Sequence, residues 1–454
     1  MKHRFLNFWF SLRKQFLIFF LTFINSLQSR GYQPASTLQL NDFINSGFFY
    51  KSSEIDFGDI YRAWEFADHL WRVGEYRKAV EIRKNCLEDI YESEGVSDSE
   101  YAPPAMSVSW TSAFGHIGSL GVYSAAQRLG IISDQKKIVL VRNIHAFENI
   151  ERIFKDTFYL VPSRYGSSSL EHPSQWHVSE RLQVIKSKAG FICLYDLHDQ
   201  VFSAANYSNI LPKLDGEYLE FANQQLHNAG LPRDSWFATL HVRDIYGDFD
   251  TRRVNSQNFS DAVDEIIRAG GWVVQFGSNA SQKLQPRKGL INLEDFIENH
   301  LYLHLYLLSQ SRFLLTTNSG PSVIAWSFGT PVVQTNTTSI ARNMMRASRN
   351  SLFLPKHYFN TNGRELTFRE IAQGRLGYSE NTTKELDKRG VRVLENSSEE
   401  ILDATRDILG FLERGEFNSE FMEKLNLVRV ETSAVGFGDV APSFISKNPS
   451  WVSD

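Results

Sequence analysis

WFATLHVR, residues 236–243, opens the part of the chain that decides the fold, and two similar stretches follow it, GGWVVQFG at 270–277 and RFLLTTNSGPSVIAWSFGTPVV at 312–333. Each contains an apolar run that ends in polar or glycine residues, a pattern typical of a buried β-strand that leads into a loop. The runs end at His241 with Arg243, at Gly277 with Ser278, and at residues 318–320. Since open α/β sheets bind ligands at the carboxyl ends of their strands, we expect these ends to form one pocket, with Arg243 as its fixed positive charge.

A short helix is predicted directly after the third strand. Gly320 is an acceptable cap, Pro321 suits the first helical position because its missing N–H costs nothing there, and a glycine follows PSVIAWSF at the carboxyl end. The N–H groups around Ser319, Gly320 and Ser322 would then point out of the helix start and form an anion site, which phosphate commonly occupies. An ordinary strand–helix–strand connection explains the same segment without a ligand. Arg243 on a neighbouring strand favours phosphate, because a guanidinium binds it through two hydrogen bonds.

The composition describes a globular protein of more than one domain. At 454 residues the chain is too long for a single hydrophobic core. The net charge of −4 argues against nucleic acid as the main partner, because binding to a phosphate backbone needs a basic surface. The only cysteines, Cys86 and Cys193, are too few for a disulfide framework or a metal cluster, so a reducing, cytoplasmic compartment is the simpler interpretation.

The first 30 residues mix lysine and arginine with phenylalanine, tryptophan and leucine. The uninterrupted apolar run at 16–24 is far short of the ~20 residues that span a bilayer. We therefore expect a basic and aromatic helix that lies in the membrane interface, peripheral to the inner membrane. A signal peptide and a helix packed on its own domain are the alternatives.

Residues 31–100 are predicted to form a helical extension. Within it, residues 57–93 predict a helical hairpin whose Ala67, Leu70, Gly74, Tyr76 and Ala79 resemble the core pattern of a tetratricopeptide repeat. Stacked repeats need about three units, and the sequence contains one, so a repeat scaffold is not supported.

The first α/β unit begins near residue 101. The pattern predicts a strand at MSVSW (106–110), a glycine loop at FGHIG (114–118), a helix that stops at Gly130, and a buried strand at KKIVLV (136–141). Gly115 and Gly118 would let the backbone approach a ligand closely, although the loop is not the G-x-G-x-x-G of a dinucleotide site. His116 is a candidate polar contact or base, and a purely structural histidine is the alternative.

Two histidine patterns have the spacing of metal ligands, and a simpler interpretation is favoured for both. After a predicted helix at 179–188 and a strand at 191–196, Asp196, His198 and Asp199 are assigned to a polar loop. His300 and His304 lie at i and i+4, but the apolar residues around them favour a buried helix.

With these spacings, WFATLHVR, GGWVVQFG and LLTTNSGPS…FGTPVV resemble a family of bacterial glycosyltransferases of surface polysaccharide synthesis. More distantly, H-V-R at a strand end is similar to the H-x-R motif of the GDP-fucose-dependent fucosyltransferases, in which the arginine contacts the donor phosphates and a glycine loop of the first domain faces it. The resemblance covers residues 105–445 and is strongest over 236–335. The strand-end pattern and the resemblance together give the candidate site: Arg243, His241, Asp244 and His116 as catalytic residues, and Gly115, Gly118, Gly277, Ser278, Asn318, Ser319, Gly320, Pro321 and Ser322 with Arg243 in donor binding.

The resemblance implies a GT-B-like α/β fold, in which two Rossmann-like domains face each other across a cleft, behind an N-terminal helical extension. We expect an acceptor domain at 101–230, a nucleotide-sugar-binding domain at 231–400, and a C-terminal helix and tail at 401–454 that pack back on the first domain. The implied function is transfer of a hexosyl- or fucosyl-type sugar from a nucleotide-diphosphate donor to a glycan or lipid-linked acceptor, without a cofactor. A nucleotide-sugar epimerase or hydrolase, and a non-catalytic sugar-binding module, would use the same pocket.

The loop after Arg243 contains Asp244, Asp248 and Asp250. Asp248-Phe249-Asp250 matches the D-x-D tripeptide that holds a divalent metal on the donor diphosphate in one class of sugar transferases, but three residues are a weak pattern. Arg243 and the helix at Gly320 already supply the positive charge that a diphosphate needs, so metal independence is favoured. Any of the three acids is instead a candidate general base toward an acceptor hydroxyl.

Overall fold

The computed structural model describes an α/β body and a few positions before it. The described residues are 105–106, 115, 117–132, 137–141, 153–154, 157–162, 184–187, 190–205, 210–243, 250–277, 283–297, 303–338, 351–374, 376, 382–415 and 439–452, with five helical positions near the amino terminus, Phe66, Lys78, Glu81, Ile82 and Asn85. The chain forms two compact units, Met1–Trp71 with Glu75–Tyr101, and Arg72–Gly74 with Ala102–Asp454. The predicted interface helix at 1–30 lies outside the described residues, as does the hairpin at 57–93 apart from those five positions.

Strands of the second unit form two parallel sheets and two antiparallel hairpins. In chain order the described strands are β1 (Ala105–Met106), β2 (Lys137–Val141), β3 (Phe158–Pro162), β4 (Val184–Ser187), β5 (Gly190–Cys193), β6 (Phe237–His241), β7 (Trp272–Gln275), β8 (Leu290–Asn292), β9 (Leu314–Thr317), β10 (Val332–Thr337), β11 (Leu352–Pro355), β12 (His357–Phe359), β13 (Arg392–Leu394) and β14 (Asp439–Val440). The smaller parallel sheet has the order β1-β2-β3 and the larger one β14-β11-β10-β9-β6-β7-β8. β4 pairs with β5, and β12 pairs with β13.

Helices connect and cover these strands. They are α1 (Ile117–Arg128), α2 (Leu194–Ala204), α3 (Gly216–Asn228), α4 (Ser260–Arg268), α5 (Leu293–Phe296), α6 (His304–Gln310), α7 (Pro321–Phe328), α8 (Phe368–Gln373), α9 (Thr383–Lys388), α10 (Ser398–Arg414) and α11 (Pro442–Lys447). Short 3₁₀ turns lie at Asp250–Arg252, Ser256–Phe259 and Pro449–Val452.

The larger sheet reverses its winding direction between β6 and β9. From β6 the chain passes through α4 to β7 on one side, whereas from β9 it passes through α7 to β10 on the other side. Because such crossovers are right-handed, α4 and α7 lie on opposite faces of the sheet. The point where the winding reverses is where open α/β sheets bind their ligands.

Burial explains why the apolar runs become central strands. Every residue of β9, β10 and β11 is buried, as expected for strands covered on both faces. β6 is buried up to His241, where its apolar run ends. The predicted α/β class and the parallel sheets of a GT-B-like fold are therefore confirmed.

Helix α10 packs on the larger sheet. Its buried Ile401, Ala404, Thr405 and Ile408 form one stripe, which packs on α4, β10 and β11 of the larger sheet, and β14 adds a parallel strand to β11. The described residues of the 401–454 segment therefore lie on the larger sheet, and its packing back on the first domain stays a prediction. The amphipathic pattern predicts a buried face but not the surface that covers it.

The prediction of a polar loop at Asp196, His198 and Asp199 is wrong. These residues lie within α2, where His198 is buried and its ring stacks on Phe202 at 6.1 Å between centroids. The buried-helix interpretation of His304 is confirmed, since it is 5% exposed at the start of α6, whereas His300 lies outside the described residues. Across the described ranges, no group of three or more histidine, cysteine or acidic residues has the arrangement of a metal site. Within the same ranges, no helix has both the length and the apolar character needed to cross a membrane.

Candidate functional site

The structure brings the three predicted strand ends together at one edge of the larger sheet. β6 lies between β9 and β7, all three strands are parallel, and their carboxyl ends therefore point the same way. Leu240 and Val242 are buried, while the alternate residues His241 and Arg243 are only partly buried. Alternation along an extended chain places these two polar side chains on the same side. The Arg243 backbone N–H donates to Thr317 Oγ1 at 3.0 Å, which ties the end of β6 to the end of β9.

Arg243 is a half-buried cation that has no ion pair with any residue the structure describes. Burial lowers its pKa, but arginine titrates so far above neutral that the guanidinium stays charged. A charge partly removed from water is stabilised by a partner of opposite sign. Arg243 is therefore well suited to bind an anionic ligand in a bidentate manner.

A hydrogen-bonded cluster joins the end of β6 to the loop that precedes α7. His241 Nδ1 and Ser319 Oγ are 3.0 Å apart, and Ser319 Oγ lies 3.1 Å from Thr316 Oγ1. Thr316 Oγ1 in turn donates to the carbonyl oxygen of His241 at 2.9 Å. Thr316 was not predicted as a site residue, although its place on β9, three residues before Ser319, is a signal for it in the sequence. The cluster fixes the direction of the Ser319 hydroxyl at the site.

His241 is neutral at physiological pH. Burial and the positive charge of Arg243 lower its pKa to about 4, and a hydrogen bond of the ring with the residue's own backbone only partly opposes them. Its ring packs on Phe276 at 5.3 Å, and Phe276 packs on His304 at 4.8 Å. Because an effective catalytic base has a pKa near the working pH, a pKa of about 4 makes His241 poorly suited to act as a base.

The start of α7 has the predicted proline and glycine placement. Pro321 occupies the first turn after Gly320, and Gly329 ends the helix with a φ of 86°, a left-handed conformation that glycine adopts without strain. One detail of the prediction is wrong: the Ser322 N–H does not point out of the helix, because it donates to the Ser319 carbonyl oxygen at 3.3 Å. The Ser322 hydroxyl is buried and has no hydrogen-bond partner among the described residues. Asn318 Nδ2 donates to Thr338 Oγ1 at 3.2 Å, so its side chain is held inside the protein.

Gly115 and Gly118 bring α1 into direct contact with α7. A Cβ atom on Gly115 would lie 2.4 Å from Gly320 Cα, and a Cβ atom on Gly118 would lie 2.4 Å from Val323 Cγ1. Gly115 and Gly118 are three residues apart, and their partners Gly320 and Val323 are three residues apart in the same order. The two helices therefore run in the same direction, with their amino-terminal ends side by side. Each helix start carries a partial positive charge from its dipole. Two such ends next to Arg243's strand create a site that favours anions.

The remaining predicted residues divide into two groups. Gly277 is described and lies buried just after β7, beside the end of β6. His116, Asp244, Asp248 and Ser278 lie outside the described residues, and for Asp250 only the backbone is described, at the start of a 3₁₀ turn.

No protein-family model matches the chain, and no curated protein matches it either. Among solved structures, the fold is similar to that of the family 9 glycosyl transferase of Veillonella parvula DSM 2008, which is 12% identical, with a TM-score of 0.35 over 53% of this chain and 83% of that one. It is also similar to the iron-containing dodecameric glycosyltransferase TibC of enterotoxigenic E. coli H10407, at 12% identity and a TM-score of 0.32 over 66% of this chain and 74% of that one. E. coli heptosyltransferase WaaC with ADP-2-deoxy-2-fluoro heptose matches at 11% identity and a TM-score of 0.29, over 55% of this chain and 90% of that one. Identities and TM-scores this low assign neither a family nor an activity to the chain.

Proposed function

We propose that this chain is a glycosyltransferase, which moves a sugar from a nucleotide-diphosphate donor to a hydroxyl group of an acceptor. One observation carries the proposal. Arg243 stands at the point where the larger sheet reverses its winding, half-buried and without an acidic partner in the part of the chain that the structure describes. A charge partly removed from water is stabilised by a partner of opposite sign, and the diphosphate of a nucleotide sugar is such a partner.

The helix start beside Arg243's strand supplies the second half of the donor site. The cluster of Thr316, His241 and Ser319 fixes the loop that leads into α7, and Gly115 packs on Gly320 at its start. Backbone N–H groups at such a start bind phosphate oxygens directly, and here Ser319 and Gly320 are the candidates, because the Ser322 N–H donates to the Ser319 carbonyl. One phosphate then contacts the guanidinium and the helix start together, while the nucleoside and the sugar extend to either side.

The chemistry follows from charge. During transfer the bond between the anomeric carbon and the phosphate oxygen breaks, and its electron pair remains on that oxygen. Arg243 and the backbone N–H groups of Ser319 and Gly320, just before α7, stabilise the growing negative charge, which is preorganised electrostatic catalysis. The acceptor oxygen forms the new bond to the anomeric carbon. Its proton passes to a base, for which Asp244, Asp248 and Asp250 are the candidates, or to the departing phosphate.

The setting of the reaction is part of the same proposal. The acceptor is a glycan or a lipid-linked sugar in surface polysaccharide synthesis, and the basic, aromatic segment at 1–30 holds the protein on the cytoplasmic side of the inner membrane. Transfer proceeds without a metal ion, because Arg243 and two helix starts supply the positive charge that a divalent cation supplies in D-x-D enzymes.

A ligand screen tests the donor site. Purified protein is heated with a panel of nucleotides and nucleotide sugars, with and without Mg²⁺ or Mn²⁺, and specific binding raises the melting midpoint by mass action. We expect stabilisation by one class of nucleotide diphosphate in the absence of metal. Stabilisation only with metal would transfer the donor site to Asp248 and Asp250.

Substitution of Arg243 tests the role of the guanidinium. Loss of a charged hydrogen-bonding group costs about 1.5–3 kcal/mol, so Arg243→Ala should weaken donor binding about 10- to 100-fold, and Arg243→Lys should recover part of it. Arg312→Ala is the matched control, because Arg312 lies at the opposite end of the same sheet, stacked over Trp236 at 4.5 Å. If Arg243→Ala binds the donor normally, or if it unfolds the protein, Arg243 is not the donor ligand.

The two alternative functions predict different products. An epimerase or hydrolase changes the nucleotide sugar without any acceptor, whereas a binding module leaves it unchanged over long incubation. A transferase forms the new glycosidic bond only when an acceptor is supplied, and chromatography of the products with and without acceptor separates the three cases.

A further inference from the structure

A buried lysine lies at the same edge of the larger sheet as Arg243. Lys356 follows β11 directly and is only 4% exposed. Its backbone N–H donates to the carbonyl oxygen of Thr337 at 3.1 Å, and its Nζ donates to the carbonyl oxygen of Arg253 at 2.8 Å. Removing an ammonium group from water is costly, and an apolar side chain of similar length would fill the same space without that cost. The lysine therefore has a task beyond packing.

The segment that Lys356 holds comes shortly after Arg243 in the chain. Arg253 follows the 3₁₀ turn Asp250–Arg252, whose first residue is one of the candidate bases. Thr251 is 5% exposed and Val254 is 7% exposed, and these two residues flank Arg252 and Arg253. The turn therefore packs against the protein and does not project into solvent.

Residues that follow β13 form hydrogen bonds to the next part of this segment, residues 255–258. The Asn255 backbone N–H donates to Glu395 Oε2 at 2.8 Å, and Asn258 Nδ2 donates to the Asn396 carbonyl oxygen at 3.2 Å. Asn396 Nδ2 donates at 2.7 Å to the carbonyl oxygen of Pro355, the residue before Lys356. Three hydrogen bonds from Lys356, Glu395 and Asn396 thus hold residues 253–258. The bond from Lys356 is the one nearest to the turn.

We propose that Lys356 is a positioning residue of the candidate site, which fixes the turn Asp250–Arg252 at the carboxyl edge of the larger sheet through its hydrogen bond to the Arg253 carbonyl. The effect of Lys356 on catalysis rests on the proposed function. In that function the turn contains Asp250, a candidate base, and lies at the same edge of the sheet as Arg243, which holds the donor. Lys356 acts through the backbone of Arg253 and does not itself bind the donor.

The test compares Lys356→Met and Lys356→Arg with a control at the other end of the sheet. Thr330→Val is the control, because Thr330 is also buried and its Oγ1 donates to one backbone carbonyl, that of Leu308, before β10 begins. Hydrogen exchange is measured for amides 250–258, and donor affinity and turnover are measured separately. We expect Lys356→Met to speed exchange in that segment and to lower turnover about 10- to 100-fold, as a misplaced catalytic group does. Donor affinity should stay near the wild-type value, Lys356→Arg should restore part of the turnover, and Thr330→Val should change neither exchange at 250–258 nor turnover.

Three outcomes overturn the proposal or separate it from the proposed function. If Lys356→Met matches Thr330→Val in exchange and in turnover, Lys356 does not position the turn. If donor affinity falls as much as turnover, Lys356 is a donor ligand instead. If exchange responds as expected but the wild-type protein binds no nucleotide sugar, the anchoring is correct and the proposed function is wrong. Glu395→Ala removes the hydrogen bond to the Asn255 N–H, and Glu395 is exposed. This variant provides a second measurement of hydrogen exchange in the same segment if Lys356→Met does not fold.

Discussion

Adding one methyl group at Gly118 tests the contact between α1 and α7 that brings their amino-terminal ends together. The new Cβ atom would lie 2.4 Å from Val323 Cγ1 and 3.2 Å from Val323 Cβ, whereas carbon atoms in good contact are about 3.5–4.0 Å apart. Overpacking of this kind costs about 1–3 kcal/mol, and the better helix propensity of alanine returns about 0.5–1 kcal/mol. We expect Gly118→Ala to lower the free energy of unfolding by about 1–2 kcal/mol.

A double-mutant cycle, measured by urea unfolding, tests whether the new methyl group contacts Val323. Val323→Ala removes the clashing methyl group, so the double variant should be more stable than the sum of the single changes by about 1–2 kcal/mol. Gly115→Ala has no such rescue, because its new Cβ atom would meet the backbone of Gly320 at 2.4 Å. Gly216→Ala is the matched control: no atom lies within 4 Å of its added Cβ, and it should stabilise by about 0.4–1 kcal/mol. Additive effects at Gly118 and Val323 would refute the packing of α1 on α7.

Two further predictions concern stability. Burial by itself lowers the pKa of His357, but hydrogen bonds to Glu365 at 2.5 Å and to Glu400 at 2.7 Å outweigh burial and raise it to about 9. Because this pKa is above the unfolded value of about 6.5, the protonated histidine contributes its full stability below about pH 6.5 and loses it as the pH rises through about 9. Urea unfolding should show this loss in the wild type, and a slope that persists in His357→Gln would refute the assignment. Asn396→Ala leaves the buried Asn336 N–H without its 2.7 Å acceptor, which should cost about 1–3 kcal/mol, and an unchanged unfolding midpoint would contradict that role.

Features set by local chemistry could be predicted from the sequence. The ends of β6, β7 and β9 follow from where apolar runs stop, and the bounds of α7 follow from Pro321 and Gly329. The end of α1 near Gly130, which has a φ of 69°, depends in the same way on one residue's backbone freedom. The adjacency of the strand ends also follows, since one ligand-binding edge is a general property of parallel sheets.

Features set by distant contacts could not be predicted. The segment at 179–188 has a helical pattern, but Val184–Ser187 is a strand because it pairs with Gly190–Cys193. Tertiary pairing overrides a weak local preference of this kind. Lys356 gives no signal in the sequence at all, because its partner is a backbone carbonyl about a hundred positions away. The surface that covers α10 is hidden for the same reason.

The charges at the site show which groups are suited to bind the phosphate of the proposed donor. Arg243 and the helix starts are suited to this role, and His241 is not. Burial and the charge of Arg243 keep the pKa of His241 at about 4, so a second cation cannot form beside the guanidinium near neutral pH. The neutral ring instead shares its Nδ1 with the Ser319 hydroxyl and sets the direction of that group. The positive potential then comes from one guanidinium that does not titrate and from helix dipoles that do not titrate either. We therefore predict that donor binding is independent of pH in the neutral range. We predict that any pH dependence of the transfer comes from the base that accepts the acceptor's proton, for which the acids that follow Arg243 in the sequence are the candidates.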